Sequence, residues 1–218
     1  NALGTEDARI TLTSAAASPG YGDWTGLTFH SDGGLSELAF VTLEFAMTGV
    51  FLDEAEVRIT DGIIRNNASN GVEVRAEAVG CEGGRAEVTL MGTTLAHNLG
   101  YGVYFHANGD PHSGCNEPKI AWAEGLVEDC DIFGNQNGVG GFAYEGYNAY
   151  GAAQPEIIGN RIEANDTHGI YLGGDNPVPA RMKDNEIAGN GVSGVHCIGT
   201  IYVPSMVPTL IRNRIAYN

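Results

Sequence analysis

Along this chain the apolar residues come in short strings that alternate with polar ones, and each string hangs on a glycine. Gly71-Val72-Glu73-Val74 and Gly102-Val103-Tyr104-Phe105 show the form, as do Gly169-Ile170-Tyr171-Leu172 and Gly194-Val195-His196-Cys197. Apolar residues at every second position are the mark of a strand with one buried face, and they exclude the helical period of about 3.6. Upstream of each string an aliphatic residue stands three positions before an asparagine. The pairs are Ile64 with Asn67, Leu95 with Asn98, Ile132 with Asn135, Ile162 with Asn165, Ile187 with Asn190 and Ile215 with Asn218. The rung of Asn135 reaches its glycine, Gly141, with two extra residues. Two earlier strings, Gly26-Leu27-Thr28-Phe29 and Gly49-Val50-Phe51-Leu52, keep only the second half of the phrase.

The anchoring glycines therefore stand at 26, 49, 71, 102, 141, 169 and 194, with gaps of 23, 22, 31, 39, 28 and 25 residues. Strands this short cannot bury a face alone, but stacked about 4.8 Å apart they can. The pattern predicts an all-β fold, a single-stranded parallel β-helix of about seven rungs. One domain covers residues 1–218, with opening rungs over 1–55 and regular asparagine-bearing rungs over 56–218. Stacking places Asn67, Asn98, Asn135, Asn165, Asn190 and Asn218 in one inward column. Asparagine tolerates the left-handed turn conformation, and its amide can bond to the next rung. Asn160, Asn185 and Asn213 form a second column, which Thr93 and Cys130 occupy in earlier rungs. Asn67 and Asn165 also match the glycosylation pattern, but their inward placement predicts that neither is modified.

The phrase "NRIEANDTHGIYLGG", residues 160–174, resembles the right-handed parallel β-helix repeats of pectate-lyase-like and related surface proteins. The resemblance runs over residues 24–218, and the opening "ARITLTSAAASPGYGDWTGLTFHSDGGLSELAFVTLEFA" is similar to the first rungs of secreted bacterial β-helix proteins. It implies a right-handed coil and an exported protein, extracellular, on the cell surface or in the periplasm. It names no activity, because one fold carries many functions. "YGVYFH", residues 101–106, also resembles the Tyr-Gly-x-Asp-Pro-His motif of mannuronan C5-epimerases. Tyr101, Gly102 and His106 match, while Tyr104 and Phe105 replace the acidic residue and the proline. A separate Asp110-Pro111-His112 lies in the segment that follows.

If the first and third residues after each glycine face inward, the second and fourth face out. The second positions read Thr28, Phe51, Glu73, Tyr104, Ala143, Tyr171 and His196. The fourth positions read His30, Asp53, Arg75, His106, Glu145, Gly173 and Ile198. Arg75, His106 and Glu145 with Tyr104 or Tyr101 form a candidate catalytic constellation. Histidine and tyrosine would move a proton on opposite sides of a uronate ring, and the guanidinium would hold its carboxylate. A mixed-charge ladder that keeps an exposed sheet soluble gives the same pattern. Asp53, Glu73, His30, Tyr147, Tyr150 and Tyr171 are candidate binding residues, the tyrosines as platforms for sugar rings. Insertions at 76–85, 107–119, 146–154, 173–180 and 198–207 are expected as loops on one side of the stack.

Charge narrows the partners. The chain carries a formal net charge of −16, with Lys119 and Lys183 its only lysines. It is therefore unsuited to nucleic acid or anionic lipid, and a polyanionic sugar would need a bridging cation. Asp53, Glu54 and Glu56 offer oxygens for a calcium ion, although their spacing is not that of a calcium loop. No other cofactor is indicated. No run of about 18 apolar residues spans a membrane. Cys81 and Cys115 lie one rung apart in neighbouring insertions and are expected to form a disulfide, while Cys130 and Cys197 are expected as buried thiols. The unfinished phrase "NRIAYN" at residues 213–218 suggests a segment of a longer chain, or a partner that covers the open rung. The function expected is a surface solenoid that binds a glycan or a protein or serves as a structural module. The alternative is a polysaccharide lyase, C5-epimerase or glycoside hydrolase using the outward sheet.

Overall fold

The computed structural model describes residues 1–31, 34–79, 82–109, 119–146, 149–176, 178–199 and 208–218. Their regular structure is all strand, and no helix among them is long and apolar enough to cross a membrane. The chain coils through three stacks in a fixed order. A back strand, Glu56–Thr60, leads to a short side strand, Ile63–Arg65, and then to a front strand, Val72–Ala78. The next back strand, Arg85–Met91, returns to lie parallel to the first, with Val88 opposite Val57 and Leu90 opposite Ile59. The front stack contains Leu27–His30, Val50–Asp53, Val72–Ala78, Tyr101–Gly109, Asn137–Gly146, His168–Gly174 and Ser193–Cys197. All of its neighbours pair in parallel. This is the parallel β-helix that the alternation and glycine spacing predict.

The core follows from the stacking. Val50, Val72, Val103, Val139 and Ile170 form one inward file on the front, and each is 0% exposed. Ile64, Leu95, Ile132, Ile162 and Ile187 form another on the side stack. Complete burial of one such side chain contributes about 1.5–3 kcal/mol, so no single rung is stable without its neighbours.

Both corners that flank the side strands carry the polar columns. The side-chain amide of Asn67 donates to Asn98 Oδ1 at 2.8 Å, Asn98 to Asn135 at 2.9 Å, and Asn135 to Asn165 at 3.1 Å. Asn165 continues to Asn190 at 2.9 Å and Asn190 to Asn218 at 2.8 Å. The same oxygens accept the backbone N–H of the asparagine one rung earlier. At the other corner Asn160 donates to Asn185 at 3.0 Å and Asn185 to Asn213 at 2.8 Å. Thr93 and Cys130 hold that corner in earlier rungs, accepting from Gly62 and donating to the Glu128 carbonyl respectively. The left-handed residue is not the ladder asparagine but the one before it: Asn66, His97, Gly134, Ala164, Gly189 and Tyr217 all have positive φ. This turns the chain so that the asparagine itself, in ordinary geometry, points inward. Asn67 and Asn165 are 0% and 1% exposed, so neither offers an accessible glycosylation site in the folded chain.

Two departures from the sequence reading concern the insertions and a cysteine. Residues 76–78, 107–109 and 149–154 are strand, not loop, because the front and back strands lengthen together in the middle rungs. Their inward positions hold small residues, including Ala76, Ala107, Ala121, Ala143 and Ala153, all 0% exposed. A side chain on Gly151 would place its Cβ 2.2 Å from the Ala107 carbonyl oxygen, so the two sheets touch almost backbone to backbone. The inward alanines and glycines weaken the hydrophobic signal, which makes these stretches read as loops. The second departure is Cys197, which is exposed on the last described front strand, whereas Cys130 is buried. Cys130 has its thiol pushed up to about 12 by burial. The proposed Cys81–Cys115 pair lies outside the described residues.

Asn135→Ala removes the acceptor of two Asn98 donors and the donor to the Leu95 and Phe133 carbonyls. Urea unfolding should show a loss of about 3–4 kcal/mol, against less than about 0.5 kcal/mol for exposed Gln136→Ala. Equal losses would show that the ladder contributes no special stability. Gly102→Ala should cost about 1–3 kcal/mol, because the new methyl meets the Gly138 carbonyl oxygen at 2.8 Å and Ile132 Cγ2 at 2.7 Å. Gly20→Ala, where only Asp23 Oδ1 approaches, at 3.7 Å, should be neutral in the same assay.

Candidate functional site: a strip of rings on the front face

Register decides which outward side chains are neighbours. One file runs Phe51, Glu73, Tyr104, Gly140, Tyr171 and His196. The adjacent file runs His30, Asp53, Arg75, His106, Phe142 and Gly173. Phe142, not Glu145, therefore stands beside His106. The glycine that anchors this rung is Gly138, since a Cβ on Gly102 would meet the Gly138 carbonyl and one on Gly138 would meet that of Gly169. The corner after Asn135 is one residue shorter than its neighbours, which shifts the frame three positions from Gly141. Glu145 is exposed further along the strand, opposite Tyr150 in a short antiparallel pair. Ala143, expected outside, is buried at 0%.

The corrected frame exposes a feature that the sequence reading divided. Eight rings adjoin across four rungs of the front face. Tyr101 and Tyr104 stack at 4.8 Å, and both approach Phe142, at 6.4 and 5.7 Å. His106 meets Tyr104 at 5.6 Å and Tyr144 at 5.5 Å. Phe142 meets Tyr171 edge-on at 5.0 Å, and Tyr171 meets His168 at 5.0 Å and His196 at 5.3 Å. His168 stacks on His196 at 4.6 Å and bonds through Nδ1 with Ser193 Oγ at 2.8 Å. These separations lie in the range where aromatic pairs attract. Glycine makes the packing possible. Cβ atoms at Gly140 and Gly173 would lie 2.5 Å from the rings of Tyr101 and Phe142, so the rings lie down over the gaps.

Partial burial sets the protonation states. Desolvation, followed by neighbouring tyrosines, pushes Tyr101 and Tyr104 well above the ordinary phenol range. Desolvation also raises Tyr144, with Asp175 adding to it. It lowers His106, against the opposing pull of Glu73 and Glu77, and His168, where His196 also contributes. Burial thus favours the neutral forms of Tyr101, Tyr104, His106, Tyr144 and His168.

Beside it the polar residues bond to one another. Arg75 Nη2 donates to Asp53 Oδ1 at 3.1 Å, its Nε lies 3.7 Å from Glu77, and its guanidinium sits 4.8 Å over Phe51. His30 Nδ1 is 3.0 Å from the other Asp53 oxygen. Asn70 donates to Glu73 at 2.9 Å. Among the described residues no three His, Cys, Asp or Glu side chains converge to hold a metal ion. Tyr147 lies outside the described residues, as does Asp110 to His112. Tyr150 is on a back strand.

Sequence reasoning placed Tyr101, Tyr104, His106 and Tyr171 on one face but missed Phe142, Tyr144 and His168. Anchoring the alternation on Gly138 would have found the first two. It also missed clefts along the back strands, the first of them reaching the front-to-back turn at His30. One, of ≈ 210 Å³, is lined by His30, Glu54, Glu56, Arg85 and Glu87. Another, of ≈ 270 Å³, is lined by Glu87, Glu124, Gln154, Glu156 and Arg181. Arg85, in the first cleft, bonds Glu87 at 2.8 Å and Glu124 at 2.5 Å.

Comparison with known proteins agrees with the architecture. The family described as the right handed beta helix region matches residues 48–205. No curated protein matches the chain, and no solved structure does. The matched span takes in most of both asparagine columns, the glycine file from Gly49 onward and all of the ring strip, and the chain belongs to the right-handed β-helix family.

Proposed function

We propose that the front face is a binding platform for a linear glycan. The continuous strip of eight half-buried rings carries this reading. A pyranose presents apolar C–H faces to a π surface and hydroxyls to the side. The strip supplies the first partner, and Asn70, Glu73, Asp53 and Arg75 along its margin supply the second. A contiguous apolar patch with a polar rim marks an interaction surface rather than ordinary solvated sheet. The rings step across successive rungs about 4.8 Å apart, and this repeat suits a polymer lying along the stack.

The same observations weigh against a lyase, epimerase or hydrolase on this face. Such chemistry needs base, acid and cation converging on one sugar. His106 is held neutral and lies beside Tyr104, as a base would, but Arg75 is already shared between Asp53 and Glu77. Glu145 is outside the file altogether.

Affinity electrophoresis through gels containing soluble polysaccharides checks the proposal. Tyr104→Ala and Tyr171→Ala should each weaken retention roughly tenfold, corresponding to about 1–1.5 kcal/mol per ring. Tyr150→Ala, on the back strand, should leave it unchanged. Retention that survives both front-face substitutions would exclude the platform, and shortened or unsaturated products in the gel would restore the enzymatic reading.

A further inference from the structure

We infer that the glycan bound on the front face carries free amino groups. This rests on the platform reading and adds the charge of the occupant. Carboxylates border the strip. Glu73 lies in register beside Tyr104, and Glu77 lies in register beside Asn108, which follows His106 by two residues. Asp53 continues the file below Arg75, Asp175 follows the strand that carries Tyr171, and Glu145 extends beyond Tyr144. Arg75 is the guanidinium among them, and Asp53 and Glu77 already engage it. Glu73 takes a hydrogen bond from Asn70, a neutral donor. The border is therefore net negative, as is the whole chain at −16.

That charge selects among sugars. A polyuronate would bring its carboxylates against those of the protein, at a partly desolvated surface where like charges repel strongly. A neutral glycan would use the rings and hydrogen-bond to the border, but would draw nothing from its charge. A polymer of de-N-acetylated amino sugars gains from both features. Its ammonium groups pair with Glu73 and Glu77, and they are attracted to the faces of Tyr101 and Tyr104, because an aromatic ring presents a negative face to a cation. Carboxylates set beside stacked tyrosines are the combination that recognises an ammonium group on an otherwise apolar ligand.

Titration calorimetry on the whole chain with glucosamine hexamer, N-acetylglucosamine hexamer and oligogalacturonate tests the inference. The pH is held where the sugar amine is charged and the carboxylates are ionised. The amine-bearing hexamer should bind at least about tenfold more tightly than its acetylated counterpart. That preference should shrink as salt screens the border. The double variant Glu73→Gln, Glu77→Gln keeps hydrogen-bonding groups but removes their charge, so it should abolish the preference by weakening the amine-bearing hexamer, with a change of less than about threefold for the acetylated one. Tyr104→Ala should weaken both hexamers. Equal affinity for the two hexamers, a preference indifferent to salt and to the double variant, or tightest binding of oligogalacturonate would each overturn the amine inference while leaving the platform standing. No binding of any oligomer, with Tyr104→Ala silent, would overturn the platform and the amine inference together.

Discussion

Asn98 donates its side-chain amide to Asn135, Asn135 donates to Asn165, and the relay runs on through Asn190 to Asn218. These amides are buried, and a buried polar group without a partner costs about 1–3 kcal/mol. Each of these amides bonds both a backbone carbonyl and the asparagine of the next rung, and the second bond requires the next asparagine directly beneath it. A slip of one residue would leave several such groups unpaired and turn the inward valines out to solvent. The ladder therefore holds the register of the rungs from Asn67 to Asn218, and that register decides which outward side chains are neighbours. The left-handed residue before each asparagine serves the same end, since it points the amide inward at a fixed place in the turn.

Small residues supply the second control. Glycines 49, 71, 102, 138 and 169 lie where a Cβ would collide with the backbone oxygen of the following rung, so they set how closely the front corner stacks. Farther along the same strands, inward alanines and glycines let the front and back sheets meet without a thick core between them. On the outward surface Gly140 and Gly173 have a different effect, leaving room for tyrosine and phenylalanine rings to lie flat. One residue type thus brings rungs together, brings sheets together and holds open the strip.

The strip combines a partly desolvated aromatic surface with an acidic border. Burial disfavours the ions of Tyr101, Tyr104, His106 and His168, while the carboxylates stand at the margin. This arrangement is what supports the proposal of recognition along an extended ligand over that of bond cleavage at one point. The back face is built differently. Its clefts are lined by glutamates and arginines, with Arg85 bonded to Glu87 and Glu124.

The sequence by itself determined the coil, the rung-defining asparagines, the buried front files and the presence of Tyr101, Tyr104, His106 and Tyr171 on one surface. It could do so because period-two alternation and repeated hydrogen-bonding residues are local properties that every rung states again. It could not determine which outward residues touch. The single shortened corner after Asn135 moves Phe142 into the place the repeat count gives to Glu145, and only the pairing with Tyr101–Gly109 shows it. It could not identify the extended sheets either, because alanine and glycine at inward positions resemble loop composition until a second sheet is seen against them. The contacts that join rungs, such as Tyr104 with Phe142 and Arg75 with Asp53, link residues 38 and 22 positions apart. Those contacts are settled by the geometry of stacking, which the one-dimensional order of residues does not contain.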